Sequence, residues 1–336
     1  MTETGGEFWS VPVCEIENGL FPASTKWLMS GRTALRYIIE DIKAGRCIKT
    51  AALPSWCCES MAEPFLSAGI DVMTYPVYIR NRELVQDIRC DCDVLLVMDY
   101  FGHYSAADHS ESGCIVIRDV THSLFCAESR SDCLYSFGSL RKWCGFRTGG
   151  FAVKNGVWAA DTVIRSADPD FVSLREKAMS QKERYLSGNF ADKTYLGLFA
   201  QAEQRLDSSR SITGADEREI PSALKLDVEL IRQRRLKSAR ILTEAFSDIA
   251  VFPVINETDC PMFVPVLVKD RDSLRSYLTK NGIYCPVHWH YPNGLGIDDR
   301  TLPLYNDELS FVCDQRYGEA EMHRIIETVK AGMQKC

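Results

Sequence analysis

The sequence predicts an α/β fold: a mostly parallel sheet between helices, followed by a smaller α+β C-terminal unit. Three observations carry this. Short apolar runs at 48–53, 72–77, Val94–Met98, 114–117, 133–137 and 150–153 have the length of buried strands, and the early ones alternate with helical segments. Residues 171–186, 193–206 and 223–246 then form long, charged segments of helical period. From Val251 onward, short strand and helix patterns resume in a more compact unit. The expected division is an N-terminal arm at 1–21, a large α/β domain at 22–248 and a small α+β domain at 249–336.

Taken in order, the arm exposes Phe8 and Trp9, which are expected to pack on the domain or on a second subunit. Ser30-Gly31-Arg32-Thr33-Ala34-Leu35 opens a helix whose Leu35, Ile38, Ile39 and Ile42 share one face, and Gly45 ends it. A Ser-Gly turn feeding a helix N-terminus can seat a phosphate, because free N–H groups and the helix dipole both favour an anion; alone it is equally an N-cap. Pro54 stops the next strand, 55–68 reads as a helix closed by Gly69, and 72–77 as a strand. Residues 207–220 read as a polar loop able to lie over a pocket, and Arg232, Arg234, Arg235 and Arg240 as a solvated helix face. The closing unit is expected to hold a strand at 261–268, a helix at 273–280, a strand at 284–290, a strand at 309–313 and the helix Glu319–Met333. His288 and His290 on one strand face could pair on a metal, but a strand edge near a substrate mouth is the simpler reading.

The 336 residues are 46% hydrophobic and 25% charged with a net charge of -7, which argues against nucleic acid or an anionic membrane surface as the main partner. The start of the chain, polar and acidic, does not read as a leader, and no apolar run approaches the roughly 20 residues of a membrane span. Fourteen cysteines are scattered without any C-x-x-C, though Cys57 and Cys58 are adjacent and Cys90 and Cys92 are one apart. Free, mostly buried thiols in a reducing cytoplasm are therefore expected.

The chemistry concentrates between Val116 and Gly150. One apolar run ends in Asp119 and, three residues on, His122; a second carries Ser136 and Phe137, then Ser139 and Lys142, then the pair Gly149-Gly150. Ligands of open α/β sheets lie at the carboxyl ends of strands, where both the acid and the amine would fall. Pyridoxal 5'-phosphate uses this combination: an amine to form a Schiff base, and a carboxylate to keep the pyridine nitrogen protonated so that the ring is an electron sink. Taken singly, Asp119 is as well explained as a turn cap and Lys142 as a surface residue.

The ordered set resembles the DegT/DnrJ/EryC1/StrS family of sugar aminotransferases, within the fold-type I pyridoxal-phosphate enzymes. The matches are the phosphate-turn-like Ser30 to Leu35, the strand-ending Pro54, Gly69, Asp119-x-x-His122, Ser136-Phe137, Lys142, Gly149-Gly150 and, later, Gly282-Ile283 with His288. The resemblance implies that Lys142 holds the cofactor and moves protons, that Asp119 pairs with the pyridinium nitrogen and that His122 lies near the ring hydroxyl. It implies that Gly31, Arg32 and Thr33 seat the phosphate, with a hydroxyl from Ser136 or Ser139. It further implies transfer of an amino group from a donor such as glutamate to a keto acceptor, a nucleotide-linked sugar, by a cytoplasmic homodimer in sugar or polysaccharide biosynthesis. Neither nucleic acid nor membrane is among the expected partners.

The chain departs from the family at four places, one of them a loop between Asp119 and Lys142 that is shorter than usual. The aromatic expected four residues after the strand-ending Pro is Cys58, with Trp56 the nearest ring; the His before the aromatic-Gly turn is Asp99; and Arg32 replaces a small hydroxyl residue. A cofactor-binding regulator or degenerate paralogue is the alternative these departures keep open. Ser139-x-x-Lys142 also has the spacing of penicillin-binding acyl-enzymes, but the companion Ser-Asp-Asn and Lys-Thr-Gly are absent. A Rossmann dehydrogenase would need Gly-x-Gly-x-x-Gly after the first strand, and none occurs.

Overall fold

The computed structural model describes residues 3–89, 91–103, 113–127, 133–292 and 294–335; Cys90 lies outside them. A seven-stranded sheet runs in the order Lys26–Leu28, Gly150–Lys154, Tyr135–Ser139, Ile115–Asp119, Val94–Met98, Thr50–Pro54, Asp71–Tyr75. The five strands from Tyr135–Ser139 to Asp71–Tyr75 are mutually parallel, and Gly150–Lys154 is antiparallel to both neighbours. Val94–Met98, near the middle, is buried at every residue, as a strand covered on both faces requires. The expected α/β architecture is observed.

The register sets the chemistry. Met98 lies opposite Asp119, and Asp119 opposite Phe137, so Asp99, Asp119 and the turn after Ser139 all emerge at the carboxyl edge of the sheet. The helix Gly31–Gly45 starts at this same edge. Ser30 caps it in extended conformation, its Oγ accepting the Thr33 N–H at 3.2 Å. The helix buries Leu35, Ile38, Ile39 and Ile42 as its spacing predicts.

Gly150 explains why the turn can sit there. A Cβ at this position would lie 2.3 Å from the backbone carbon and oxygen of Ser30, so only glycine lets the strand approach the helix start. Gly150→Ala is therefore expected to cost about 3 kcal/mol, the upper end for overpacking, because the obstacle is backbone and cannot rotate away. A denaturant midpoint close to that of the unsubstituted protein would contradict this placement.

Several boundaries differ from the sequence expectation. The second helix begins only at Glu59; residues 55–58 form a loop because Cys57 N–H donates to Tyr305 Oη at 3.1 Å and Ser55 Oγ accepts from Val77 N at 3.0 Å. The segment 223–246 is two helices, Ile220–Leu224 and Val228–Ala245, because Asp227 breaks the run by capping Leu230 N. The expected strand 284–290 shrinks to Ile283–Tyr284, which pairs with Thr4–Gly5 of the N-terminal arm, and Pro286 follows without an N–H to donate. Arg235 is not on a solvated face. It is 1% exposed, donating to Gln315 Oε1 and to the carbonyls of Pro261 and Met262.

The C-terminal part has its own core. The antiparallel strands Val264–Leu267 and Glu308–Phe311 pack with the helices Arg271–Lys280 and Glu319–Met333 around Val266, Leu278, Phe311 and Ile325. The arm folds back on its own chain: Phe8 and Trp9 lie under the Arg316 guanidinium, at 4.0 and 5.1 Å from the ring centres. Cys57, Cys144, Cys260, Cys285 and Cys313 are buried free thiols, and Cys133 is also buried. No helix among the described residues is long and apolar enough to cross a membrane.

Candidate active site

Lys142 stands on a single 3-10 turn, Leu140–Lys142, that follows the strand Tyr135–Ser139. Side chains three apart eclipse in such a turn, so the fully buried Leu140 and Trp143 point inward together and leave Lys142 exposed. Lys142 and His122 line one cavity of about 420 Å³, bounded by the arm residues Gly5–Phe8 on one side and by Pro286, His288 and Trp289 on another.

Asp119 reaches the same region from the neighbouring strand. It is 6% exposed, and its Oδ1 accepts the Thr121 N–H at 2.8 Å. Burial pushes its carboxyl up to about 6, offset in part by hydrogen bonds from Thr121, with the Asp99 charge raising it and the Lys142 charge lowering it. Among the described residues no cation touches it. Thr121 also ties the acid to the amine: its carbonyl accepts the Trp143 indole N–H at 2.6 Å, one residue after Lys142. Nothing in the sequence marked this link, because Thr121 and Trp143 act through backbone and indole groups that meet only in the tertiary structure.

His122 is 5% exposed, and burial holds its imidazole well below the ordinary range, assisted by His288 and Lys142. The Phe101 N–H donates to Nδ1 at 3.4 Å, which places the neutral ring's proton on Nε2. Asp99, where the family resemblance expects His, is fully buried and pairs with the equally buried Arg118 at 2.9 Å; Ser123 Oγ donates to its other oxygen at 2.6 Å. The pair thereby pins the turn that carries His122.

The Ser30-Gly31 turn completes the edge. A Cβ on Gly31 would sit 3.7 Å from Ser139 Cβ, so Ser139 lies beside the helix start; Ser136 alternates to the opposite face of its strand, and the structure does not bring it there. Thr33 is buried against Ser30, their hydroxyls 3.0 Å apart. The first N–H groups of the helix, at Gly31 and Arg32, have no internal partner. Arg32 extends into a second cleft of about 470 Å³ shared with Cys58, Asp207, Arg210 and Trp289. There it donates to Asp207 at 2.9 Å, while its buried Nε has no partner. Asp207 belongs to the end of the helix Tyr195–Ser208 and not to the loop, but with Arg210 it borders this cleft as expected of the segment.

Trp56 is fully buried and turned away, its ring stacked on Tyr100 at 5.0 Å and its Nε1 donating to the His288 carbonyl at 2.7 Å. His288 and His290 share no strand face, and no cluster of three metal-ligating side chains occurs among the described residues. Glu7 enters the Lys142 cavity from the arm. Burial pushes its carboxyl up, but the charges of Arg175, Arg141, Lys142 and Lys182 together hold it below the usual range.

The mixed α/β sheet and its edge define the fold of the fold-type I aminotransferases. PseC of Helicobacter pylori, an aminotransferase involved in the biosynthesis of pseudoaminic acid, matches over 98% of this chain and 100% of that one, with a TM-score of 0.63 and 14% identity. Spr1654 of Streptococcus pneumoniae in its PLP-form matches over 98% and 93% (TM-score 0.64, 15% identity), and the sugar aminotransferase CalS13 of Micromonospora echinospora over 92% and 87% (TM-score 0.61, 14% identity). An aminotransferase of the DegT/DnrJ/EryC1/StrS type from Brucella abortus has the same fold at 14% identity and a TM-score of 0.59. No protein-family model matches the sequence, and no curated protein matches it.

Proposed function

We propose that this chain is a pyridoxal-phosphate-dependent aminotransferase that moves an amino group from glutamate to a nucleotide-linked keto-sugar. One observation carries the cofactor reading: a buried carboxylate with no cation against it among the described residues, tied through a single threonine to an exposed lysine at the next strand end. A buried anion of this kind calls for an N–H⁺ partner supplied from outside the chain.

The residues fit the group in four respects. Lys142 supplies an amine and Asp119 an acceptor for a ring N–H. The N–H groups of Gly31 and Arg32 and the Nε of Arg32, none with a partner among the described residues, and the neighbouring Ser139 hydroxyl suit a phosphate, with Thr33 holding the Ser30 cap that shapes the turn. His122, which lines the same cavity as Lys142, keeps its proton on Nε2. Cys58 stands at the rim. When bound, the cofactor supplies an electron sink for the carbon bearing the nitrogen. Lys142 Nζ would take and return a proton at the substrate carbon, and Asp119 would hold a positive charge on the ring nitrogen.

The glutamate donor, a role in polysaccharide biosynthesis and a cytoplasmic homodimer complete the proposal; the sugar acceptor is supported by sugar-aminotransferase neighbours of the same fold. The division into arm 1–21, large domain 22–248 and small domain 249–336 also belongs to the proposal, supported by the separate core around Phe311. The test is a visible absorption spectrum with pyridoxal phosphate, one sample treated with borohydride and a second, untreated sample given glutamate and then keto-sugars. A band that borohydride removes and glutamate converts is expected. A protein that stays colourless contradicts enzyme and cofactor together; a band that glutamate leaves unchanged favours a cofactor-binding regulator.

A further inference from the structure

We propose that Trp289, delivered by the C-terminal unit, is the aromatic side chain that covers the cofactor ring, in place of the aromatic that position 58 lacks. The assignment rests on the pyridoxal-phosphate reading of the site and deepens it. A flat ring held between Lys142 and Asp119 is stabilised by an aromatic face against it. The side chain at 58 is a thiol. Trp56, Tyr100 and Phe101 are each completely buried, with the face of Trp56 taken by Tyr100 and its N–H by the His288 carbonyl.

Trp289 differs from all three. It is half-buried and lines both the cleft that holds Arg32 and Cys58 and the cavity that holds Lys142 and His122. Among the described residues it is the one common to the two, so it stands between the phosphate side and the lysine side of the site. Its ring lies within 22° of parallel to the His122 imidazole, at 5.6 Å between centres. The preceding residue anchors it: His288 N–H donates to Glu308 Oε2 at 2.6 Å and His288 Nδ1 meets Ser310 Oγ at 2.9 Å, both on the strand Glu308–Phe311. The covering ring therefore comes from the C-terminal unit, whereas position 58 belongs to the sheet domain, and cofactor binding couples the two.

The experiment is spectrophotometric titration of the full chain with pyridoxal phosphate, with visible circular dichroism of the bound cofactor, for Trp289→Leu and Trp289→Phe. Trp289→Leu is expected to raise the Kd about 10-fold and to diminish the dichroic band, while borohydride still fixes the cofactor to the protein. Trp289→Phe is expected to restore most of both. A Trp289→Leu protein with the Kd and dichroism of the unsubstituted chain overturns the assignment alone, and so does a Trp289→Phe protein no better than Trp289→Leu. An unsubstituted chain that takes up no pyridoxal phosphate overturns this assignment and the proposed function together.

Discussion

Asp119→Asn is expected to stabilise the cofactor-free protein at pH 8 by about 3 kcal/mol and, in the same molecule, to weaken its hold on pyridoxal phosphate. The first effect follows from linkage. The carboxyl is raised from an ordinary 3.8 to about 6 by burial, so ionising it costs more in the folded chain than in the unfolded one. A group raised in this way contributes its stability below the unfolded value and loses it as pH rises through the folded value. The difference between Asp and Asn should thus be near zero at pH 4, open between about pH 4 and 6, and level off above. About two pH units at 1.36 kcal/mol each set its size. Asn keeps an oxygen for the Thr121 N–H, so the comparison isolates the charge.

The second effect has the opposite sign because the bound ring supplies the missing cation. A charge-assisted hydrogen bond is worth about 1.5–3 kcal/mol, so the Kd for pyridoxal phosphate should rise roughly 10- to 100-fold. Denaturation across this pH range and a cofactor titration measure the two arms. A variant less stable at pH 8, or one that binds the cofactor as tightly as before, would show that the carboxylate serves the fold and not a ligand.

Lys142→Ala should abolish covalent retention of the cofactor while leaving the fold intact, because the side chain is exposed and its turn is held by Leu140 and Trp143. Transamination should fall by at least about 10²–10⁴-fold, the contribution of a positioned proton carrier, with the loss of the nucleophile added to it. Mass analysis after borohydride is the direct check: a pyridoxyl adduct on the unsubstituted chain and none on the variant. An adduct that persists in Lys142→Ala would assign the amine elsewhere. Lys142→Arg should not rescue it, since a guanidinium does not lose its proton.

The sheet was legible because its strands are buried on both faces and so read as continuous apolar runs; Val94–Met98 is the clearest. The acid and the amine were legible for a related reason. Parallel strands place their carboxyl ends at one edge, so Asp119 and Lys142 had to be neighbours once both runs were strands. Ser136 and Ser139 were not separable by motif, although strand alternation divides them as soon as the strand is known. Arg235 was misread because its burial comes from partners some 26 and 80 residues away, at Pro261 and Gln315.

By itself, then, the order of residues determined the α/β class and the sheet edge at which Asp119, the lysine turn and the start of the first helix come together. These are local consequences of period, of chain direction and of glycine at the points of closest approach. Only the tertiary structure decided that the acid is buried with no cation against it among the described residues, that Thr121 links it to the lysine turn, and that a tryptophan from the C-terminal unit lines the cleft that holds Cys58. The physical reason is common to all three. Desolvation, hydrogen bonding across strands and ring stacking depend on groups distant in the chain, and no spacing along a sequence encodes them.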